Sequence, residues 1–400
     1  MSIKIYPRIS SIRSCFTKTI IGVAFFSTIF LSTILVPFHL AMAAMPVPAA
    51  PDIAAKSYIL VDFASGKTLA EKDPDLQIEP ASITKLMTSY IVYKELEENR
   101  LSMDDMVDIS EKAWRMGGSR MYLDVNTSVP VHELLKGLII QSGNDASVAL
   151  AEKVAGTEDA FVQLMNQYAQ DLGMQNTHFV NSTGWPDKQH LTTARDIAIL
   201  AAAVIREFPD YYPEYAEKEY TYNNIKQYNR NKLLWSDDTV DGIKTGHTDS
   251  AGFCLLASAV RSDMRIISVV LGTDSMKARA SVSQELLNYG FRFYESHTLY
   301  SAGEVLSRPR VWSGEMETLD VGLAQDLAVA IPRGAYDELE ATIDIDTDIQ
   351  APIEKGQQLG LVKVSLEGTL LASVPLVALE TVNEGNFFQQ VKDYLLRLIS

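Results

Sequence analysis

Three short motifs lie far apart in this chain and can share chemistry only if the fold brings them together: Ser82-Ile83-Thr84-Lys85, Ser142-Gly143-Asn144 and Lys244-Thr245-Gly246. Each is predicted on a different kind of element. The first opens a helix, because Ile83, Leu86, Met87, Tyr90 and Ile91 recur at helical spacing and Pro80 suits a first helical turn. The second interrupts a helical region over residues 131–154. The third ends a strand, Val240-Asp241-Gly242-Ile243. A chain that must join a helix start, a break between helices and a strand end needs helices packed on the faces of a sheet.

The rest of the chain fits that demand. A hairpin is predicted over Tyr58–Phe63 and Thr68–Ala70, turning at Ser65-Gly66. A helix runs from near Thr193 to Glu207, before Pro209. Strands follow at 239–245, 251–260 and 265–272, then a helix from Ser275 to Ser296. Ile266, Ile267, Val269, Val270 and Leu271 form a nearly unbroken apolar run, which suits a strand covered on both faces. The order of strands, many helices, then strands and a helix predicts an α+β domain over residues 44–296, an antiparallel sheet flanked by helices. Residues 297–382 change character. Leu339, Ala341, Ile343 and Ile345 alternate with polar residues, as do Val362, Val364 and Leu366 before Gly368, and a small all-β domain is expected. Residues 383–400 return to helical spacing: Phe387, Phe388, Val391, Tyr394, Leu395, Leu398 and Ile399 share one face.

The N-terminus reads as an export signal over residues 1–43. Lys4, Arg8, Arg13 and Lys18 precede an uncharged run from Thr19 to Ala43, closed by Ala41-Met42-Ala43. The run is long for a signal, so an uncleaved anchor stays open, although Pro37 favours cleavage. The formal net charge of -16 argues against nucleic acid as a partner. Cys15 leaves with the signal, and Cys254, in Phe253-Cys254-Leu255-Leu256, is expected to be a buried core thiol. The six histidines are scattered without metal-ligand spacing, so neither metal nor cofactor is expected.

Taken singly, each motif has an ordinary reading: a helix cap with a surface lysine, a polar turn, a strand end with a solvated lysine. Together they suit acyl transfer. Ser82 and Lys85, three apart at a helix start, lie within reach of each other. A serine hydroxyl attacks only when a base takes its proton. A lysine can be that base if burial and a neighbouring cation such as Lys244 lower its pKa. The helix N-terminus adds a positive field where an oxyanion forms. Ser142 could relay a proton, Asn144 could hold a substrate amide, and Gly246 would leave room for a substrate chain beside the strand.

The flanking residues carry a resemblance. Pro80-Ala81-Ser82-Ile83-Thr84-Lys85-Leu86-Met87-Thr88, Gly117-Gly118-Ser119, Ile140-Gln141-Ser142-Gly143-Asn144-Asp145-Ala146, Asn181-Ser182-Thr183-Gly184, Thr193-Ala194-Arg195-Asp196, Asn229-Arg230-Asn231 and Asp241–Thr248 resemble the type-5 penicillin-binding proteins, the S11 serine carboxypeptidases. The likeness is strong over residues 55–296, and beyond that it is one of layout. It implies a β-lactamase/transpeptidase-like catalytic domain that releases the terminal D-alanine of peptidoglycan stem peptides ending in D-Ala-D-Ala. Ser82 would be acylated and Lys85 would be the general base. Ser142 would pass the proton on, Asn144 would bind the substrate amide, and Lys244 would tune the field. The backbone N–H groups of Ser82 and His247 would form the oxyanion hole. Thr245, Arg195 and Arg279 are candidates for the terminal carboxylate, with a structural ion pair as the alternative for either arginine. β-Lactams would be covalent inhibitors, and the last helix would hold the exported protein on the periplasmic side of the cytoplasmic membrane. A β-lactamase, an endopeptidase of the same superfamily and a non-catalytic wall-peptide binder remain the alternatives. No Glu lies between Asp171 and Lys188, where a β-lactamase would carry its deacylating carboxylate.

Overall fold

The structure, a computed structural model, describes residues 2–5 and 46–397. The predicted signal lies outside the described residues except for Ser2–Ile5. The chain divides into two units, Val47–His297 and a second formed by Met1–Pro46 with Thr298–Ser400.

In the first unit, β1 (Ser57–Asp62), β2 (Thr68–Lys72), β3 (Val240–Thr248), β4 (Gly252–Arg261) and β5 (Met264–Thr273) form one sheet in the order β2-β1-β5-β4-β3. All its neighbours are antiparallel. The apolar run 266–271 is the central strand, and period-2 alternation splits it between two faces. Ile267, Val269 and Leu271 join the helical core, whereas Ile266 and Leu60 meet the opposite layer at Gly290. Gly290 belongs to α5 (Met276–Phe293), capped by Ser275. On the other face lie α1 (Lys85–Glu97), α2 (Asn144–Ala155), α3 (Glu158–Asp171) and α4 (Ala194–Glu207). The pattern of apolar residues predicted one buried face for α1, but the helix is buried nearly all round, its polar Lys85, Thr88 and Ser89 included. It is the axis of the helical layer, and its polar side chains bond inward. Cys254 is the buried thiol expected, and burial raises its pKa to about 11.

The second unit is built on a sheet in which the segment Ser2–Ile5, β8 (Leu339–Ile345), β9 (Gln358–Leu366), β10 (Thr369–Ala378), β7 (Val321–Gly322) and β6 (Val305–Ser307) follow in that order. β8 buries Leu339, Ala341, Ile343 and Ile345, as its alternation predicts. β9 turns into β10 at Gly368, whose φ of 78° suits glycine. The last helix, α6, covers Phe387–Arg397; Leu398 and Ile399 of its predicted face lie outside the described residues. α6 packs by its polar side. Asp393 is buried and accepts from Arg310 Nη2 and from the backbone N–H of Ser313, both at 2.8 Å. Arg310 and Arg397 both lie against the Trp312 ring, and Lys392 pairs with Glu317. The apolar side faces out, with Phe387 74% and Phe388 82% exposed.

Candidate active site

The nucleophile turn is built first. Pro80 leads into a 3-10 turn, Ala81–Thr84, on which α1 continues. Ser82 is therefore in a tighter turn than the α-helix predicted, yet Lys85 Nζ still reaches Ser82 Oγ at 3.2 Å. Lys85 is wholly buried. Its Nζ also lies 2.7 Å from Asn144 Oδ1 and 2.6 Å from the Thr183 carbonyl. A neutral amine has two N–H groups and one lone pair. The two carbonyl oxygens take both N–H groups, and the lone pair is left facing the Ser82 hydroxyl. Burial, and then the charge of Arg230, lower the Lys85 pKa to about 7, with Asp145 opposing. The amine is thus neutral in a large fraction of molecules near neutral pH.

The second motif is held by α2 and the loop before it. The helix Val131–Lys136 widens into a π turn, Gly137–Gln141, and Ser142 follows in the left-handed region at φ 64°. Ser142 Oγ is buried and has no hydrogen-bond partner among the described residues, so its proton and lone pairs are available to a ligand. Asn144 donates from Nδ2 to the Gly117 carbonyl, which fixes its Oδ1 toward Lys85. Asp145 accepts the N–H groups of Met121, Tyr122 and Leu123, pinning the segment after Gly118 to α2.

The third motif lies on β3, an edge strand. Lys244 is buried, and its pKa is driven well below the usual value by burial first, then by Lys85, Arg230 and Arg279. Gly246 differs from its expected role. A Cβ there would stand 2.9 Å from the Pro80 carbonyl and 3.2 Å from Ala81 Cβ, so the space is filled by the chain's own nucleophile turn rather than kept for a substrate. The Gly246 carbonyl accepts from Arg279 Nη1 at 3.1 Å, and the His247 ring stacks on Phe253.

A cavity of about 560 Å³ is lined by Ser82, Ser142, Thr245, Gly246, His247 and Arg279, and also by Arg230 and Lys232, whereas Lys85, Asn144 and Lys244 are buried and are not among its lining residues. Among the described residues no carboxylate lines it. Arg279 is buried, and burial lowers its pKa to about 10. Arg195 is a correction: it is not among the lining residues, and its guanidinium is taken up by Asp75, 2.8 Å away, and Glu71. It is the structural ion pair at the start of α4.

Several contributors had no role in the sequence reading. Arg230, quoted there only within Asn229-Arg230-Asn231, reaches the cavity, has no carboxylate partner among the described residues and lowers the pKa of both lysines. Glu158 accepts both the N–H and the hydroxyl of Ser182, whose carbonyl accepts from Thr88 and Ser147. Those bonds hold the carbonyl of Thr183 against Lys85. His190 Nδ1 accepts from the Val180 N–H, so its Nε2–H donates to Thr84 Oγ1 at 2.9 Å, and burial lowers its pKa to about 4. No spacing rule points to these partners, because each comes from a distant element.

Residues 44–275 match the family model described as D-alanyl-D-alanine carboxypeptidase, peptidase S11, and residues 294–384 match that of the penicillin-binding protein 5 C-terminal domain. The chain is 42% identical over 357 residues to the D-alanyl-D-alanine carboxypeptidase DacA of Escherichia coli K12, covering 87% of this chain and 89% of the relative. It is similar to the solved penicillin binding protein 5 from Haemophilus influenzae at TM-score 0.81 and 42% identity, over 84% of this chain and 100% of that one. It also resembles penicillin-binding protein D2 from Listeria monocytogenes in its ampicillin-bound form, at TM-score 0.56 and 29% identity, over 60% of this chain and 100% of that one.

Proposed function

This chain belongs to the S11 family of D-alanyl-D-alanine carboxypeptidases, and on that premise we propose that it removes the terminal D-alanine from peptidoglycan stem peptides through an acyl-enzyme on Ser82. The observation that carries the reading is the Lys85 amine, buried, depressed to about 7 and 3.2 Å from the Ser82 hydroxyl. Lys85 takes the Ser82 proton as Oγ attacks the penultimate D-alanine carbonyl. The N–H groups of Ser82 and His247 hold the oxyanion, and Asn144 holds the amide on the acyl side. Thr245 and Arg279 take the terminal carboxylate, a planar anion that suits a guanidinium. The proton taken by Lys85 is relayed through the Ser142 hydroxyl to the leaving amine as the C–N bond breaks, and D-alanine departs. Water then opens the ester and returns Ser82. Arg230 and Arg279 keep the pocket cationic, which suits an anionic substrate, and Arg230 also favours neutral Lys85.

β-Lactams acylate the same serine under this reading. Among the described residues the cavity lining offers no carboxylate to activate water, which supports a long-lived acyl-enzyme over β-lactamase turnover. D-Alanine release from a pentapeptide by the wild type, lost with Ser82→Ala together with penicillin labelling, tests the assignment. Labelling of another serine would overturn it.

The second part of the reading is placement: an exported protein held on the periplasmic side of the cytoplasmic membrane by α6. Support comes from the outward apolar side of α6, whose polar side is occupied by the domain. Among the described residues no helix is long and apolar enough to cross a membrane. Removing residues 384–400 should release the protein from the membrane fraction with small-peptide activity intact; retention in that fraction would refute the role of α6.

A further inference from the structure

Resting on that reading of the reaction, we infer that Trp185 is a specificity residue: its exposed indole is a platform for the aliphatic side chain of the substrate residue that precedes D-Ala-D-Ala. The residue is 49% exposed, so its aromatic face is open to a ligand. It is not a loose side chain. Asn181 Oδ1 accepts the N–H groups of Thr183, Gly184 and Trp185, and Asn181 Nδ2 donates to the Trp185 carbonyl. The residue before it, Gly184, is pressed on the nucleophile turn so closely that a Cβ would overlap the Ala81 carbonyl. The residue before that accepts from Lys85. The loop carrying Trp185 is therefore fixed to the catalytic groups on two sides.

The ring has a defined neighbour. A Cβ on Gly118, which lines the cavity, would stand 2.9 Å from Asn144 Nδ2 and 3.3 Å from Trp185 Cζ3. Those two atoms are thus separated by no more than the sum of these distances. Gly117 and Gly118 bring the indole edge next to the side chain that holds the substrate amide, where a larger residue would push it away. Arg279 and Thr245 line the cavity and take the leaving carboxylate, whereas Asn144 and Trp185 meet across Gly118 at its margin, which the proposal assigns to the acyl side of the scissile bond. A substrate whose acyl-side amide sits on Asn144 carries its preceding side chain toward the indole face. An aromatic face offers dispersion and apolar burial to a methylene chain, and a cationic end would gain further.

The test uses the full chain and two peptides, diacetyl-Lys-D-Ala-D-Ala and acetyl-Gly-D-Ala-D-Ala, with D-alanine release as the readout. Trp185→Ala should lower kcat/KM for the lysyl peptide by about tenfold, the size of one or two lost methylene contacts. The loss should fall on KM, and the glycyl peptide should be unaffected. Trp185→Phe should recover most of it. Because the loop is held by Asn181 and the main chain, penicillin labelling of Trp185→Ala should match the wild type. An equal loss on both peptides, or slowed labelling, would make Trp185 structural and overturn the inference; so would no loss on either. A wild type that released D-alanine from neither peptide would instead overturn the proposed activity, and the inference with it.

Discussion

Lys85 in the catalytic unit and Asp393 in the C-terminal unit are both buried charges, and the two surroundings are opposite. Among the described residues Lys85 has neutral oxygens at hydrogen-bond distance, and the charge of Arg230 outweighs that of Asp145. Asp393 has Arg310 and a backbone N–H against its two oxygens. A buried ion without a counter-ion gives up its charge, and the resulting free amine is a base. A buried ion that is paired fixes the geometry of whatever carries it. One arrangement favours reactivity at the expense of stability; the other favours position.

The strongest way to break this contrast is at the nucleophile. Ser82→Ala should abolish D-alanine release and penicillin labelling while leaving the unfolding midpoint near that of the wild type. Lys85→Met should reduce acylation almost as far, by several powers of ten, and yet raise the thermal midpoint. The sign follows from the depressed pKa. The folded state disfavours the lysine charge, so the destabilisation is fully present below pH 7 and fades as pH rises from about 7 toward the unfolded value. The stability gain of Lys85→Met should therefore be largest near pH 6 and vanish near pH 10. A variant less stable than the wild type at pH 6 would refute the reading of Lys85 as an unpaired charge.

The wild-type pH profile is the next test in size. If neutral Lys85 is the base, kcat/KM for acylation should fall about tenfold per pH unit below 7 and level off above it. A flat profile between pH 5 and 8 would break the assignment. Asp393→Ala, in the C-terminal unit, should cost about 1–3 kcal/mol of helix docking, because the buried carboxylate that accepts from the Ser313 N–H and the part-exposed Arg310 is lost. Amide exchange over residues 387–397 should speed up while peptide turnover stays unchanged. Slow exchange in that variant would show that the pairing does not hold α6.

How much of this was readable beforehand follows the range of the interactions. The strand at 266–271 and the alternation at 339–345 depend on which face of a local element meets the core, and local periodicity carries that information. The three motifs were visible because their residue types are chemically unusual at a helix start, a helix break and a strand end. What escaped was partnership. Nothing near Asp393 in the sequence announces Arg310 and Ser313 as its partners. Arg195 was a fair carboxylate receptor until Asp75 and Glu71 were found beside it. Gly246 was credited to the substrate because the approach of Pro80 and Ala81 is set by the whole fold. Arg230 and Trp185 stand on loops, whose sequence patterns say little about where a side chain arrives.

The position of β3 at the rim of its sheet has a consequence for drug escape. An edge strand presents amide groups that every residue type possesses, and a ligand that extends the sheet is read through them. Replacing side chains along β3 can crowd the approach, but it cannot delete the ladder. A mutational route to resistance against inhibitors that mimic an added strand would have to shift the backbone itself. Gly246 wedged against Pro80 and Ala81 ties that backbone to the nucleophile turn, so a displacement large enough to repel the inhibitor would also disarm the enzyme.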